Sequence, residues 1–167
     1  MRPDALAGAM ATDREAGRRP LIVCASAGST NTGAIDPLDE LADACRANGT
    51  WLHVDGAYGG FAALTERGKR WLAGIERADS ITLDPHKWLY QPFECGCVLV
   101  REGRLLEEAF RIAPDYLKDA RGAEVDFADR GLQLSRMARS LKLWLSIQTF
   151  GVAAFREVEG APSWRSI

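Results

Sequence analysis

Short apolar runs that alternate with stretches of helical spacing limit this fold more than any other feature of the sequence. Leu21-Ile-Val-Cys-Ala-Ser26 is a continuous apolar run of strand length. Such runs belong to strands buried on both faces, which parallel sheets achieve by covering each face with helices. Thr50-Trp-Leu-His-Val-Asp55, Ser80-Ile-Thr-Leu83 and Cys95 to Val100 read as three further strands. Between the first two, Leu38, Leu41, Ala42 and Cys45 recur at helical spacing and stop at Asn48-Gly49. Asp36 is placed to cap that helix, with Pro37 at its first position and Glu40 near the capping-box place. Further helices are expected over Asp4 to Arg18, from the glycine-rich turn 56–60 to Leu72, around Leu105 to Phe110, and over Ala138 to Phe150. The fold class is therefore α/β, a mostly parallel sheet with flanking helices on both faces. Periodicity is lost between Arg111 and Met137, a length that in a compact domain marks a lid, a binding loop or a mobile segment.

Composition sets the outer bounds. Of 167 residues, 47% are hydrophobic and 26% charged, with 21 basic against 23 acidic side chains. Disorder is excluded, and the balance gives no field that would select nucleic acid or an anionic membrane surface. The longest uncharged apolar stretches run to about 8 to 10 residues, far short of the roughly 20 of a membrane span. Met1 to Pro20 carries Asp4, Asp13 and Glu15 and no apolar centre, so no targeting signal is read there and a cytoplasmic location is expected. Four cysteines are too few for a secreted disulfide framework. Cys95 and Cys97 have no second Cys/His pair at zinc spacing and are expected to pack along a buried strand.

Polar residues gather where the strands end: Ser29, Thr30 and Asn31 after the first, Asp55 at the end of the second, Asp84, His86 and Lys87 after the third. Open α/β sheets bind ligands along that edge. Asp55 is expected to emerge half-shielded from water, in need of a cation or a hydrogen-bond donor. A helix cap or an arginine salt bridge accounts for Asp55 alone equally well. In Asp84-Pro-His-Lys-Trp88, Pro85 fixes the local path and the apolar flanks Trp88, Leu89 and Pro92 are expected to desolvate Lys87, lowering its pKa. By itself Lys87 reads more readily as a surface lysine, and His86 as a structural hydrogen-bonder. Together, a carboxylate at one strand end and a lysine 32 residues further on are the minimal apparatus for pyridoxal phosphate, the lysine as Schiff base and the acid on the pyridine nitrogen.

Three ordered segments, Ser26-Ala-Gly-Ser-Thr-Asn-Thr-Gly-Ala-Ile-Asp-Pro37, His53-Val-Asp-Gly-Ala-Tyr-Gly-Gly60 and Asp84-Pro-His-Lys-Trp88, resemble the consecutive signatures of the group II pyridoxal-phosphate-dependent decarboxylases, the family of aromatic-L-amino-acid and glutamate decarboxylases. Tyr116-Leu-Lys118 and Arg139-Ser-Leu-Lys-Leu-Trp144 continue the similarity to about residue 158. The resemblance implies part of the large domain of the aspartate-aminotransferase fold (fold type I) over residues 1–158, a mobile active-site loop over 111–137, and an unrelated tail over 159–167. It also implies a homodimer with active sites at the subunit interface, and an amino-acid substrate. Carried over by position, Lys87 would form the Schiff base, Asp55 would pair with the pyridinium nitrogen, and Ala57 would lie against the ring. Thr30 would lie near the ring's polar edge, with Asp84 and His86 on the phosphate or substrate side of the lysine. The expected reaction is decarboxylation of an L-amino acid.

Two departures shape that expectation. Phe127 stands where animal aromatic decarboxylases carry a tyrosine that protonates the reacting carbon, which leaves aldehyde-forming oxidative deamination or transamination as the alternative outcome. Family chains are about three times longer, and their upstream half supplies the helix N-terminus for the phosphate and the aromatic stacked on the ring. The chain is thus expected to be a truncated central part with impaired activity, and an inactive fragment or pseudoenzyme is the non-enzymatic alternative.

Overall fold

The computed structural model describes residues 1–111 and 126–160. Its elements follow in the order α1 (Pro3–Glu15), β1 (Ile22–Ser26), α2 (Leu38–Asn48), β2 (Trp51–Asp55), α3 (Glu66–Trp71), β3 (Ser80–Leu83), β4 (Cys97–Val100), α4 (Arg104–Phe110) and α5 (Arg139–Gly160). Each strand forms within two residues of where the sequence places it, whereas the helical region expected from the turn 56–60 to Leu72 is a 3₁₀ turn over Gly60–Leu64 followed by α3. One sheet has the strand order β1-β2-β3-β4. β1, β2 and β3 run parallel, with Ile22 opposite Trp51, Ser26 opposite Asp55, and Asp55 opposite Thr82. Parallel pairing sends the carboxyl ends of all three strands to one edge, the edge that carries the polar residues.

The core lies on one face of this sheet. Leu38, Leu41, Ala42 and Cys45, the four apolar positions of α2, are all buried with Val23, Ala25, Leu52 and Val54 of the strands and Met10 of α1. α2 ends at Gly49 in the left-handed conformation, φ 59°, a backbone region that glycine enters without a Cβ clash.

Several local expectations are corrected. β1 alternates instead of being buried on both faces: Val23 and Ala25 point into the core, while Ile22 is 51% exposed and Cys24 is exposed. Asp36 does not cap α2, whose preceding residue is Pro37 and which has no side-chain cap. Its carboxylate instead accepts the backbone N–H of Ser26 at 2.8 Å, tying the loop's return to the end of β1. That amide sits where the ladder ends, and a partly buried N–H without an acceptor is more costly than an uncapped helix end. Cys95 is buried at 3% exposure but precedes its strand, which begins at Cys97. The last helical segment continues past Phe150 to Gly160, broken at Gly151, whose φ of 76° separates two helical pieces.

Two compact units divide the chain: Met1–Leu99 with the residues from Arg139 onward, and Val100–Ala138. In the second, Asp126 accepts the N–H of Ala128 at 2.9 Å to start a 3₁₀ turn over Phe127–Arg130, and Arg130 donates twice to Glu107 Oε1, at 2.9 and 2.7 Å. Phe127 is 63% exposed, with the Arg136 guanidinium 5.3 Å from its ring centre. The expected irregular stretch 111–137 is thus in part ordered; its residues 112–125, with Tyr116 and Lys118, lie outside the described residues, as do 161–167 of the tail.

Glu159 is 4% exposed, and its Oε1 has no hydrogen-bond partner among the described residues. Burial pushes its carboxyl up to about 7, because the buried site tolerates the neutral acid better than the anion. Between the ordinary carboxylate range and pH 7 the folded chain keeps a proton that the unfolded chain releases, so stability falls as pH rises through that window. Glu159→Gln is expected to be close to neutral near pH 4 and to stabilise the chain at pH 8 by on the order of 1–3 kcal/mol. Urea unfolding of both proteins across that range checks this; a difference that does not grow with pH would count against it.

Candidate active site

The edge is assembled from three loops. After β1, the turn 28–34 closes on itself: Ser29 Oγ and Thr32 Oγ1 lie 2.7 Å apart, and the Gly33 N–H donates to Ser29 O at 2.7 Å. Thr30 sits at its exposed tip. After β2, Asp55 is followed by Gly56-Ala-Tyr-Gly-Gly60, and the Gly56 N–H donates to Thr82 O at 3.0 Å, locking this turn to β3. The first two loops meet backbone to backbone: a Cβ on Gly59 would lie 2.4 Å from Ala27 O, and one on Gly28, at φ +94°, would lie 2.9 Å from Gly59 Cα. Only glycine permits that approach.

The third loop carries the lysine. The Lys87 N–H donates to Asp84 O at 2.9 Å, closing a turn around the buried Pro85, and Lys87 Nζ pairs with Asp84 Oδ2 at 2.7 Å. The lysine side chain is 34% exposed and the aspartate 19%. The expected desolvated amine is therefore corrected: the ammonium is held by a carboxylate three residues back, which the turn at Pro85 brings within reach. His86 Nε2 lies 4.0 Å from the same carboxylate, and its Nδ1 is held by the Cys95 backbone, 2.7 Å from the carbonyl oxygen and 3.1 Å from the amide nitrogen. Phe93 meets the imidazole edge to face at 5.1 Å, and Trp88 meets Tyr58 in the same way at 5.2 Å.

Asp55 is exposed, not half-shielded, and its Oδ1 accepts the N–H of Ala57 at 3.0 Å. It ends a strand, and the small residues after it leave its carboxylate open. Among the described residues it makes no ion pair, and no arginine salt bridge forms with them. Asp84, His86 and Lys87 are brought together in one cluster; Asp55 with Ala57 and the Thr30 turn occupy the neighbouring strand ends on the same edge.

One polar feature escaped the sequence reading. His53 Nδ1 lies 2.8 Å from Ser80 Oγ and its Nε2 lies 3.1 Å from Thr82 Oγ1, while Trp51 Nε1–H donates to Ser80 Oγ at 2.8 Å. The signal was present as alternate polar residues on adjacent strands, Trp51 and His53 facing Ser80 and Thr82.

Comparison with known proteins agrees with this architecture. Residues 1–161 match the family described as "Pyridoxal-dependent decarboxylase conserved domain". The chain is 53% identical over 148 residues to an aromatic-L-amino-acid decarboxylase of Bacillus atrophaeus, covering 87% of this chain and 31% of that protein. It is 42% identical over 154 residues to a tryptophan decarboxylase of Camptotheca acuminata, covering 90% and 31%. Among solved structures, that of Oryza sativa TDC with PLP and tryptamine superposes with a TM-score of 0.88 at 38% identity, covering 94% of this chain and 33% of that one. The chain spans about a third of the length of the curated relatives it matches. With its three motif-bearing loops on one edge of the sheet and a family match over nearly its whole length, the chain belongs to the pyridoxal-dependent decarboxylase family.

Proposed function

We propose that this chain is the lysine-bearing central part of a pyridoxal-phosphate-dependent decarboxylase acting on an L-amino acid, with Lys87 as the residue that bonds the cofactor. The observation that carries this reading is the Asp84 and Lys87 pair at 2.7 Å, presented by a proline-fixed turn on the sheet edge where Asp55 ends the adjacent strand. The residues present fit the group. A primary amine, a carboxylate without a cationic partner among the described residues, and the small residues Gly56 and Ala57 directly after that carboxylate suit a flat, cationic, aldehyde-bearing ring.

When bound, pyridoxal phosphate supplies an aldehyde that condenses with amines and a protonated ring that withdraws electrons from the amino acid's α-carbon. The chain's own groups divide the remaining work. Lys87 offers the amine, and Asp84 holds its proton until the amine is needed. Asp55, oriented by the Ala57 N–H, presents a full negative charge, and an opposite charge within about 4 to 6 Å stabilises a protonated ring nitrogen. Ala57 would lie against the ring's face and Thr30 near its polar edge. His86, fixed through Nδ1, directs Nε2 to the Asp84 side, where it moves or holds a proton near the lysine.

On this reading residues 1–158 belong to the cofactor-binding large domain, and the chain works in the cytoplasm as part of a homodimer. No helix among the described residues is long and apolar enough to cross a membrane. The test is direct: incubate the chain with pyridoxal phosphate, reduce with borohydride, and map the adduct by peptide mass spectrometry. A modification confined to Lys87 is expected; labelling spread over surface lysines such as Lys69 would overturn the assignment. Product analysis in a family-length chimera then separates amine plus carbon dioxide, the expected outcome, from aldehyde with hydrogen peroxide.

A further inference from the structure

The segment 91–95 links the lysine turn to a distant helix. On one side it is tied to the turn: the Gln91 N–H donates to Pro85 O at 3.1 Å, and Cys95 holds the His86 ring. Toward α5 it meets Arg139, Lys142 and Ser146, spaced three and four apart so that they share one helix face. Lys142 Nζ donates to two backbone carbonyls, Pro92 O at 2.9 Å and Glu94 O at 2.6 Å. Arg139 donates to Glu94 Oε1 through Nε at 3.1 Å and Nη2 at 2.5 Å. Ser146 Oγ donates to Gln91 Oε1 at 2.9 Å, and Gln91 is itself 5% exposed, with its amide nitrogen donating to Leu89 O at 3.0 Å. Segment 91–95 belongs to no strand, so Pro92 and Glu94 have no sheet ladder to satisfy their carbonyls. One ammonium satisfies both.

We propose that Lys142 is a positioning residue for the cofactor lysine: by gathering the Pro92 and Glu94 carbonyls it fixes segment 91–95, which in turn fixes His86 and the turn that presents Lys87. The inference rests on the reading of Lys87 as the cofactor lysine. Arg139 reinforces the clamp through Glu94, whose carboxyl its guanidinium holds below the usual carboxylate range. Charge and reach both matter: a methionine at 142 keeps the aliphatic stem but leaves the two exposed carbonyls to water, so the tie between segment 91–95 and α5 is lost, whereas an arginine keeps a forked donor.

The test uses the 167-residue chain with Lys142→Met and Lys142→Arg, followed by amide hydrogen exchange and by the absorbance of the adduct with pyridoxal phosphate. Lys142→Met is expected to speed exchange at Cys95 and Gln91 by about tenfold or more, to leave Leu52 and Val54 of β2 unchanged, and to slow adduct formation at Lys87 by several fold. Lys142→Arg is expected to restore most of both. Unchanged exchange at Cys95 in Lys142→Met would overturn the proposal, and so would an equal loss of protection at Val54, which would make Lys142 a general stability residue. If the unsubstituted chain forms no adduct at Lys87, the functional reading fails, while the exchange comparison still decides whether Lys142 fixes the turn.

Discussion

Asp55→Asn is expected to lower amino-acid decarboxylation by about 10²- to 10³-fold while leaving the Lys87 adduct trappable. The substitution keeps shape and keeps an acceptor for the Ala57 N–H, which now reaches Asp55 Oδ1 at 3.0 Å. It removes only the charge. A neutral amide does not favour the protonated form of a ring nitrogen, so the electron-withdrawing power that decarboxylation draws on is lost, whereas condensation of the aldehyde with Lys87 needs only the amine. The measurement belongs in a chimera in which this sequence replaces the matched third of the Bacillus atrophaeus relative, 53% identical over 148 residues. Turnover by initial rates and adduct by borohydride trapping are then read on the same preparation. Undiminished turnover would remove Asp55 from its assigned role. Loss of the adduct together with turnover would show instead that Asp55 holds the loop, since the charge has no part in bond formation at Lys87.

How far such a site is legible in the sequence depends on the range of the interactions that build it. Leu38, Leu41, Ala42 and Cys45 are legible because a buried helix face is written in spacing alone, and all four are buried. The strand ends that align Asp55 with Thr82 are legible for a similar reason, since a parallel sheet fixes which edge the carboxyl ends share. The state of Lys87 is a case of two local signals in competition. Apolar flanks argue for a desolvated amine, but Asp84 three residues earlier is within reach once Pro85 closes the turn, and the two side chains meet at 2.7 Å. The chain neighbours of Asp36 suggest a helix cap, yet the amide it satisfies belongs to Ser26, ten residues earlier, and only the antiparallel bridge of Ala27 with Ile35 brings the two together. The clamp of Lys142 on Pro92 and Glu94 spans 50 and 48 residues, and no local pattern encodes it.

Gly59→Ala is expected to destabilise the chain by about 2–4 kcal/mol and to displace the two loops that carry Thr30 and Ala57. A Cβ at position 59 would sit 2.4 Å from Ala27 O and 3.0 Å from Gly28 Cα, and both obstacles are backbone. A side chain could rotate away; here either the β1 loop or the β2 turn has to move. Neither moves freely, because the Ala27 N–H donates to Asp55 O at 2.8 Å and the Gly60 N–H to Gly56 O at 2.8 Å. The control is Gly8→Ala inside α1, where an added Cβ meets nothing within 4 Å. There the methyl group only lowers the backbone entropy of the unfolded chain, so stabilisation by about 0.5–1 kcal/mol is expected. Urea midpoints therefore move in opposite directions for one and the same substitution, and the Gly59 variant should also bind pyridoxal phosphate less tightly than the Gly8 variant. If both variants were stabilised alike, the loops would not meet at Gly28 and Gly59, and the strand ends would lose the contact that holds the Thr30 turn beside the Asp55 turn.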